Sequence, residues 1–262
     1  MSGSVTNVIA DSPDAMQLSL AACAWCDAPL ARAVAGVAGA HRCASCGSRT
    51  EAWPSDAELA ALLAQEPGGM TPARRCSAAE ALRRRARRRL AERVARIAPP
   101  GAVLDVGSGD GTLLDALRAA GRVATGIGRP STRADVRDVE ITEVGGRYAA
   151  IVFWQSLGRA SAPRTALEHA AALLKPDGLL TIAQPTTLAL PALTERWRGV
   201  AAPAQRIRIP QRALVERLRA LGLDVTHADR MREGAGTRPG AWSATLLGGV
   251  VSVEARRWAP GG

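Results

Sequence analysis

At 262 residues, 47% of them hydrophobic, the chain is long enough for one full-sized core with a small satellite module beside it. It has no run of about 18 uncharged apolar residues and no basic-then-apolar order at its N-terminus, which argues against a helical membrane protein and a secreted one and predicts a cytoplasmic location. The net charge of +10 invites a polyanion or an anionic membrane surface as partner, but Lys175 is the single lysine among 34 basic residues, a bias that equally reflects a GC-rich coding sequence.

In chain order, residues 1–19 are short of large apolar groups and are expected to be disordered. Residues 20–50 form a module of their own, marked by Cys23-Ala24-Trp25-Cys26 and Cys43-Ala44-Ser45-Cys46. Each C-x2-C pair can present two thiolates from one tight turn, and the sixteen intervening residues suffice for a hairpin that closes both pairs around a tetrahedral zinc ion. Cys23, Cys26, Cys43 and Cys46 are therefore the predicted metal ligands. With no open coordination position the zinc is structural, which leaves His41 and Cys76 without a ligand role. Thiolates used in this way fit a reducing compartment. Trp25 is expected to cover the small core of the module, the alternative being an exposed docking aromatic. Residues 51–76 read as a linker in which Ser55 caps a short helix, Ala57 to Ala64, before Pro67-Gly68-Gly69.

The remainder, residues 77–262, reads as one larger domain. Ser77 opens an arginine-rich helix that runs to about Ile97 and stops at Pro99-Pro100-Gly101. Arginines surround it except along Leu82, Ala86, Leu90 and Val94, so one stripe is buried and the rest solvated. Short apolar runs then alternate with helical segments: strands over 102–106, 122–127, 148–154 and 179–183, and helices over 112–120 and 163–174. A helix over 211–221 and strands over 224–228 and 250–255 follow. Strands alternating with helices predict a parallel sheet with crossover connections.

The segment Val103-Leu104-Asp105-Val106-Gly107-Ser108-Gly109-Asp110-Gly111 closes a strand and opens a helix. Its acid before the first glycine and its G-x-G-x-G spacing differ from the dinucleotide loop G-x-G-x-x-G and from the phosphate loop with its Lys-Ser/Thr. It resembles motif I of class I S-adenosylmethionine-dependent methyltransferases. The resemblance implies that Asp105 lies near the amino-acid end of the cofactor and that Gly107, Ser108, Gly109 and Gly111 line its methionine and ribose parts. Ala134-Asp135-Val136-Arg137-Asp138 resembles the family's adenine-contacting motif, with Asp135 as the acid and Val136 offering the backbone N–H. Leu173 to Thr181 resembles the turn into the fifth strand, with Asp177 where the family has its first glycine.

Together with the four-cysteine module, these motifs resemble a bacterial family of zinc-ribbon methyltransferases over about residues 22–228. Trp53-Pro54-Ser55-Asp56-Ala57-Glu58-Leu59, Val152-Phe153-Trp154-Gln155-Ser156-Leu157 and Glu195-Arg196-Trp197-Arg198-Gly199 carry that likeness further. It implies a doubly wound α/β fold, a mostly parallel seven-stranded Rossmann-like sheet behind an N-terminal zinc ribbon. It also implies S-adenosylmethionine as cofactor and a small-molecule or glycan-type acceptor.

The departures are specific. The position of the ribose-bridging acid is Gly128, and six residues separate it from Asp135, too few for the usual helix. Ala149 or Ala150 replaces the acid opening the fourth strand, Gln155 a histidine, Gly158-Arg159 the family's Glu-His, and Pro203-Ala204-Gln205 its Pro-Arg-His. Each hydrogen bond lost to the ribose costs about 0.5–1.5 kcal/mol of cofactor binding. Displacement at a sulfonium methyl draws much of its rate from alignment, so a base is optional for acidic acceptors. His169 reads as a helix-face residue and His227 as equally uncommitted, and no catalytic residue is singled out. Two alternatives stand beside the small-molecule enzyme: a degenerate methyltransferase fold kept as a scaffold, and an RNA methyltransferase whose helix Arg83–Arg89 meets phosphates.

Overall fold

The computed structural model describes residues 22–30, 40–51, 78–128, 131, 133–185, 206–231 and 250–257. The expected disordered N-terminus, the linker helix, Cys76, Glu195–Gly199 and Pro203-Ala204-Gln205 lie outside the described residues.

The N-terminal module supplies a short hairpin, β1 (Ala40–Arg42) and β2 (Arg49–Glu51). The arginine-rich helix follows as α1 (Ala78–Ile97), and then β3 (Val103–Val106), α2 (Thr112–Ala119), β4 (Ala124–Ile127), β5 (Val136–Arg137) and β6 (Tyr148–Trp154). The chain continues through α3 (Pro163–Leu173), β7 (Leu174–Pro185), β8 (Ile207–Arg208), α4 (Gln211–Ala220), β9 (Asp224–Met231) and β10 (Val250–Arg256). Seven strands form one sheet in the order β5-β4-β3-β6-β7-β10-β9. Its first five are mutually parallel, and β10 runs antiparallel to both its neighbours. Among the described residues β4 passes to β5 without a helix, as the short spacing requires.

Period-two alternation sorts the strand side chains onto two faces. Val103, Ala150, Val152, Leu179 and Ala183 pack with Leu90 and Val94 of α1 and with Leu113 and Leu117 of α2. Leu104, Ile151, Phe153, Leu180 and Ile182 pack with Leu167 and Ala170 of α3 and with Leu214 and Leu218 of α4. Because both faces are covered, the central strands are apolar throughout, and each fully buried leucine contributes about 1.5–3 kcal/mol. Leu90, Ala91 and Val94 form the buried stripe of α1, whereas Arg84, Arg85, Arg88 and Arg89 are exposed. Arg93 crosses to β10, its Nε and Nη2 donating to the Glu254 carboxylate at 2.5 and 2.7 Å. Glu254 is only 3% exposed in its side chain, so this bidentate pair keeps a buried charge compensated.

Strand β7 starts earlier than the sequence suggests, since the turn Pro176-Asp177-Gly178 lies within it. Asp177 takes φ 58°, the left-handed conformation that an aspartate tolerates better than most residues, and its N–H donates to the carbonyl of Arg257 at 2.5 Å. The missing family glycine is thus accommodated at an irregularity in the β6–β7 pairing, where Tyr148 pairs with Leu174 and Ala150 with Leu179.

The cysteine module is not self-contained. Strand β8, from the larger domain, pairs antiparallel with β2 and completes a three-stranded sheet β1-β2-β8. Ile207 and Ile209 are each 1% exposed and belong to the same apolar cluster as Cys23, Trp25 and Cys43. Trp25 is 4% exposed, so it fills the module's core and presents no docking surface. An ion pair from Arg164 of α3 to Asp27 ties the first cysteine turn to the sheet's helical face. No helix among the described residues is long and apolar enough to cross a membrane.

Candidate functional site

The strand order reverses between β3 and β6: the chain winds outward through β4 and β5, then returns to lay β6 on the other side of β3. In open parallel sheets such a switch point opens a crevice at the carboxyl ends of the strands. The glycine loop lies there. Gly107, Gly109 and Gly111 have φ of 73°, 54° and 72°, and the N–H groups of Gly107 and Ser108 donate to the Ile127 carbonyl at 2.8 and 3.0 Å. Ser156, at the end of β6, donates its hydroxyl to the carbonyl of Val106 at 2.5 Å, and a Cβ on Gly107 would overlap the Cβ of Ser156. Gly107→Ala combines that overlap with a left-handed backbone and is expected to lower unfolding free energy by about 2–3 kcal/mol, measurable by urea titration. Gly128 closes β4 against the loop, its Cβ position 3.4 Å from both Gly107 Cα and Ser108 N.

Asp105 sits at the base of the loop, 1% exposed, with Oδ2 buried and lacking a hydrogen-bond partner. Burial pushes its carboxyl up to about 7 against the opposing influence of the Ser108 hydroxyl and of Arg87. Arg87 of α1 meets the Asp110 carboxylate at 3.1 Å, and Asp110 Oδ1 accepts from the Thr112 N–H at 3.0 Å, satisfying a donor of the first turn of α2. The loop is therefore braced from outside, while the acid beneath it keeps one oxygen for a cationic or donor group.

The structure brings Asp105, Gly107, Ser108, Gly109, Gly111 and Gly128 together at this edge, but not Asp135 and Val136. Gly126 and Ile127 are in register with Val136 and Arg137, which places Asp135 at the entering end of β5 and Asp138 level with Gly128. Asp135 accepts instead from Arg118 of α2 at 2.6 Å and from Arg133 at 2.8 and 2.9 Å, and these guanidinium groups hold its carboxyl below the usual carboxylate range. Val136 is buried in the core, and its N–H donates to the carbonyl of Arg133 at 3.2 Å. At the carboxyl edge stand Asp138, exposed, and Val139, half-buried. With a strand only two residues long, Val136 alone marks it in the sequence, and either acid of Asp135 and Asp138 could have ended it. Arg133 also bridges to Asp115 at 2.8 Å and lies against Gly111, where a Cβ would push its guanidinium aside.

On the other flank, Gln155 ends β6 with φ 55°, its N–H donating to the Ala183 carbonyl at 2.6 Å. Gln184, 2% exposed, donates through Nε2 to the carbonyl of Ile209 at 2.7 Å, and the Arg206 N–H donates to the carbonyl of Gly158 at 2.7 Å. The segment carrying β8 is thereby seated over the ends of β6 and β7. Ala149 and Ala150 are fully buried. Neither sequence-noted histidine joins this edge: the His169 ring nitrogen Nε2 meets the Val144 carbonyl at 2.8 Å, and His227 is exposed on β9, the outermost strand.

The four cysteine sulfurs gather within 4.8 Å of one another. Both turns are built alike: the N–H of Asp27 donates to Cys23 O at 2.9 Å and that of Gly47 to Cys43 O at 3.0 Å, each in the left-handed conformation. Sulfurs bound at about 2.3 Å around a tetrahedral ion lie roughly 3.8 Å apart, and Cys23–Cys46 and Cys26–Cys43 stand at 3.7 and 3.5 Å. The residues thus fit the predicted zinc. Burial pushes the Cys23 and Cys26 thiols up; at Cys43 burial is outweighed by the N–H of Cys46 and the Cys26 thiol, and the thiol falls to about 7. His41 stands outside this cluster.

A family model described as "Methyltransferase domain" matches residues 79–228, more than half of the chain. The chain belongs to the class I S-adenosylmethionine-dependent methyltransferases. No curated protein matches it. Among solved structures, the 1,6-didemethyltoxoflavin N1-methyltransferase of Burkholderia thailandensis, with 1,6-didemethyltoxoflavin and S-adenosylhomocysteine bound, is 20% identical over 85% of this chain and 100% of that one, with a TM-score of 0.53. The magnesium protoporphyrin IX methyltransferase of Synechocystis PCC 6803, with bound S-adenosylhomocysteine, is 13% identical over 76% and 94%, with a TM-score of 0.50. Both are likenesses of fold.

This methyltransferase keeps the crevice of its family in an abbreviated form. The outer wall beside β4 consists of Gly128 and the Arg133 network, where the helix and ribose acid expected of a fuller member are absent among the described residues.

Proposed function

We propose that this methyltransferase holds S-adenosylmethionine over the carboxyl ends of β3, β4 and β5 and presents its methyl group to a small-molecule or glycan-type acceptor lying over β6 and β7. The observation that carries the reading is Asp105: a buried carboxylate with an orphaned oxygen beneath three left-handed glycines at the switch point. Asp105 would face the amino-acid end of the cofactor, with Gly107, Ser108, Gly109, Gly111 and Gly128 giving close backbone approach. Asp138 would take the adenine-side role first given to Asp135, with Val139 as an apolar surface beside it. When bound, S-adenosylmethionine supplies an electrophilic methyl group on sulfur and leaves as a neutral thioether. The protein's own contribution is alignment and exclusion of water, since displacement at a sulfonium methyl draws much of its rate from orientation. Cys23, Cys26, Cys43 and Cys46 would hold a structural zinc, in keeping with a reducing cytoplasm.

The test is calorimetric titration of zinc-loaded protein with S-adenosylmethionine and S-adenosylhomocysteine. Micromolar binding is expected, weakened about tenfold by Asp138→Ala, the worth of one hydrogen bond to a charged group, and little changed by Asp135→Ala. Absence of binding by the intact chain would instead support a scaffold built on this fold.

A further inference from the structure

Helix α1 divides its charge unevenly around its circumference. Leu90, Ala91 and Val94 face the sheet, while Arg84, Arg85, Arg88, Arg89 and Arg96 are exposed. At about 100° per residue the five arginines fall within roughly 140° of the helix, and at about 1.5 Å per residue they extend over about 18 Å. The exposed Glu92 shares that sector and pairs with Arg88 at 3.6 Å. Arg84 engages a further group. Arg85, Arg89 and Arg96 make no ion pair among the described residues, so the face keeps a net positive charge whatever the other pairs offset.

The layer on the other side of the sheet is built differently. On α3 and α4, Glu168 accepts from both Arg164 and Arg217, and Glu216 accepts from Arg212. A coding bias towards arginine supplies cations to every surface, but it does not gather them on one helix face. That face also borders the crevice: Arg87, one turn from Arg84 and next to Arg88 in the chain, meets Asp110 of the glycine loop at 3.1 Å.

Phosphates in quantity belong to nucleic acids or to lipid headgroups. Single-stranded RNA is held by stacking on exposed aromatic rings, and no Phe, Tyr or Trp among the described residues is exposed: Trp25, Phe153 and Trp154 are buried and Tyr148 is half-buried. Double-stranded RNA is gripped over about 16 base pairs across two minor grooves, a longer span than this single stripe. An anionic bilayer demands only positive charge, with no register to match. The apolar stripe of α1 is committed to the sheet, so the helix meets headgroups without entering the hydrocarbon.

We infer that the exposed face of α1 docks the protein reversibly on an anionic membrane surface, with Arg85, Arg89 and Arg96 meeting lipid phosphates. The inference goes beyond the methyl-transfer reading and holds whatever the crevice binds. Docked through this face, the protein carries the rim of the crevice beside the headgroups.

The experiment is cosedimentation of the zinc-loaded full chain with vesicles of phosphatidylglycerol and phosphatidylcholine in equal parts, beside vesicles of phosphatidylcholine alone. Binding is expected on the first only, and it should be lost between about 0.1 and 1 M salt as screening shortens the reach of the charges. Each arginine near an anionic surface is worth about fivefold in affinity, so Arg85→Gln with Arg89→Gln should weaken binding about 25-fold. Both residues are exposed and glutamine is a good helix former, so thermal unfolding of this variant should match wild type. Arg212→Gln with Arg219→Gln, exposed positions on α4, removes the same charge from the other layer and should leave vesicle binding within about twofold of wild type. No binding to the anionic vesicles, or equal loss in the two double variants, overturns the docking face. So does an RNA oligonucleotide that binds with sensitivity to the Arg85 and Arg89 substitutions where vesicles do not bind. S-adenosylmethionine is titrated separately, and its failure to bind would refute the cofactor reading while leaving the docking face standing.

Discussion

Asp105→Asn is expected to make the cofactor-free protein more stable than wild type above neutral pH and to weaken S-adenosylmethionine binding by about 10- to 100-fold. The stability part follows from linkage. Burial holds the Asp105 carboxyl near 7 in the folded chain, against 3.8 for the free side chain. Below about pH 4 both states carry the proton and the group is neutral in its effect. Between that pH and about 7 the unfolded chain binds fewer protons than the folded one, so stability falls as pH rises, and above 7 the loss is complete. Three pK units correspond to on the order of 4 kcal/mol, an upper bound for this group. Asparagine removes the titration with little change of shape, so the difference between the two denaturation profiles from pH 4 to 8.5 isolates it. Profiles that run parallel across that range would show that Asp105 is ionised throughout. The binding part follows from the loss of one charged acceptor for the cofactor's amino-acid end, about 1.5–3 kcal/mol. Removing that acceptor while affinity stays unchanged would place the cofactor elsewhere.

The second large effect is metal removal. Four thiolates around zinc supply apparent binding free energies of about 10–16 kcal/mol in small zinc modules, far more than the short β1–β2 hairpin could supply alone. Chelation, or Cys43→Ser, is expected to unfold residues 22–30 and 40–51 and, because β8 pairs with β2, to release Ile207 and Arg208 as well. Amide hydrogen exchange should therefore speed up together at β2 and β8, while β3, β4 and β6 stay protected. Cobalt(II) in place of zinc should give the absorption of a tetrahedral tetrathiolate site at one ion per chain. If β8 keeps its protection without metal, its anchors are Gln184 and the apolar cluster around Ile207 and Ile209 instead.

Much of this protein was legible before any coordinates. Two C-x2-C turns, glycines at Gly107, Gly109 and Gly111, and apolar runs alternating with helical stripes are signals carried by residues close together in the chain. Turn geometry, ligand spacing and periodicity act over that range. Tyr148–Trp154 illustrates it: a seven-residue run buried almost throughout could only be an interior strand, and it is one from end to end. The four cysteines likewise declared their cluster by spacing alone.

What the tertiary structure decided lies in pairings between distant segments and in elements too short to carry a period. Strand β5 has two residues, so its register, and with it the choice between Asp135 and Asp138, depended on hydrogen bonds to β4. Strand β8 also has two residues and joins a hairpin far earlier in the chain, so the shared sheet could not be read from either segment alone. The orphaned oxygen of Asp105 and the fit of Ser156 against Gly107 are of the same kind. A local sequence specifies what the backbone can do; which side chains come to share a buried space depends on packing, and packing brings together residues with no proximity in the chain.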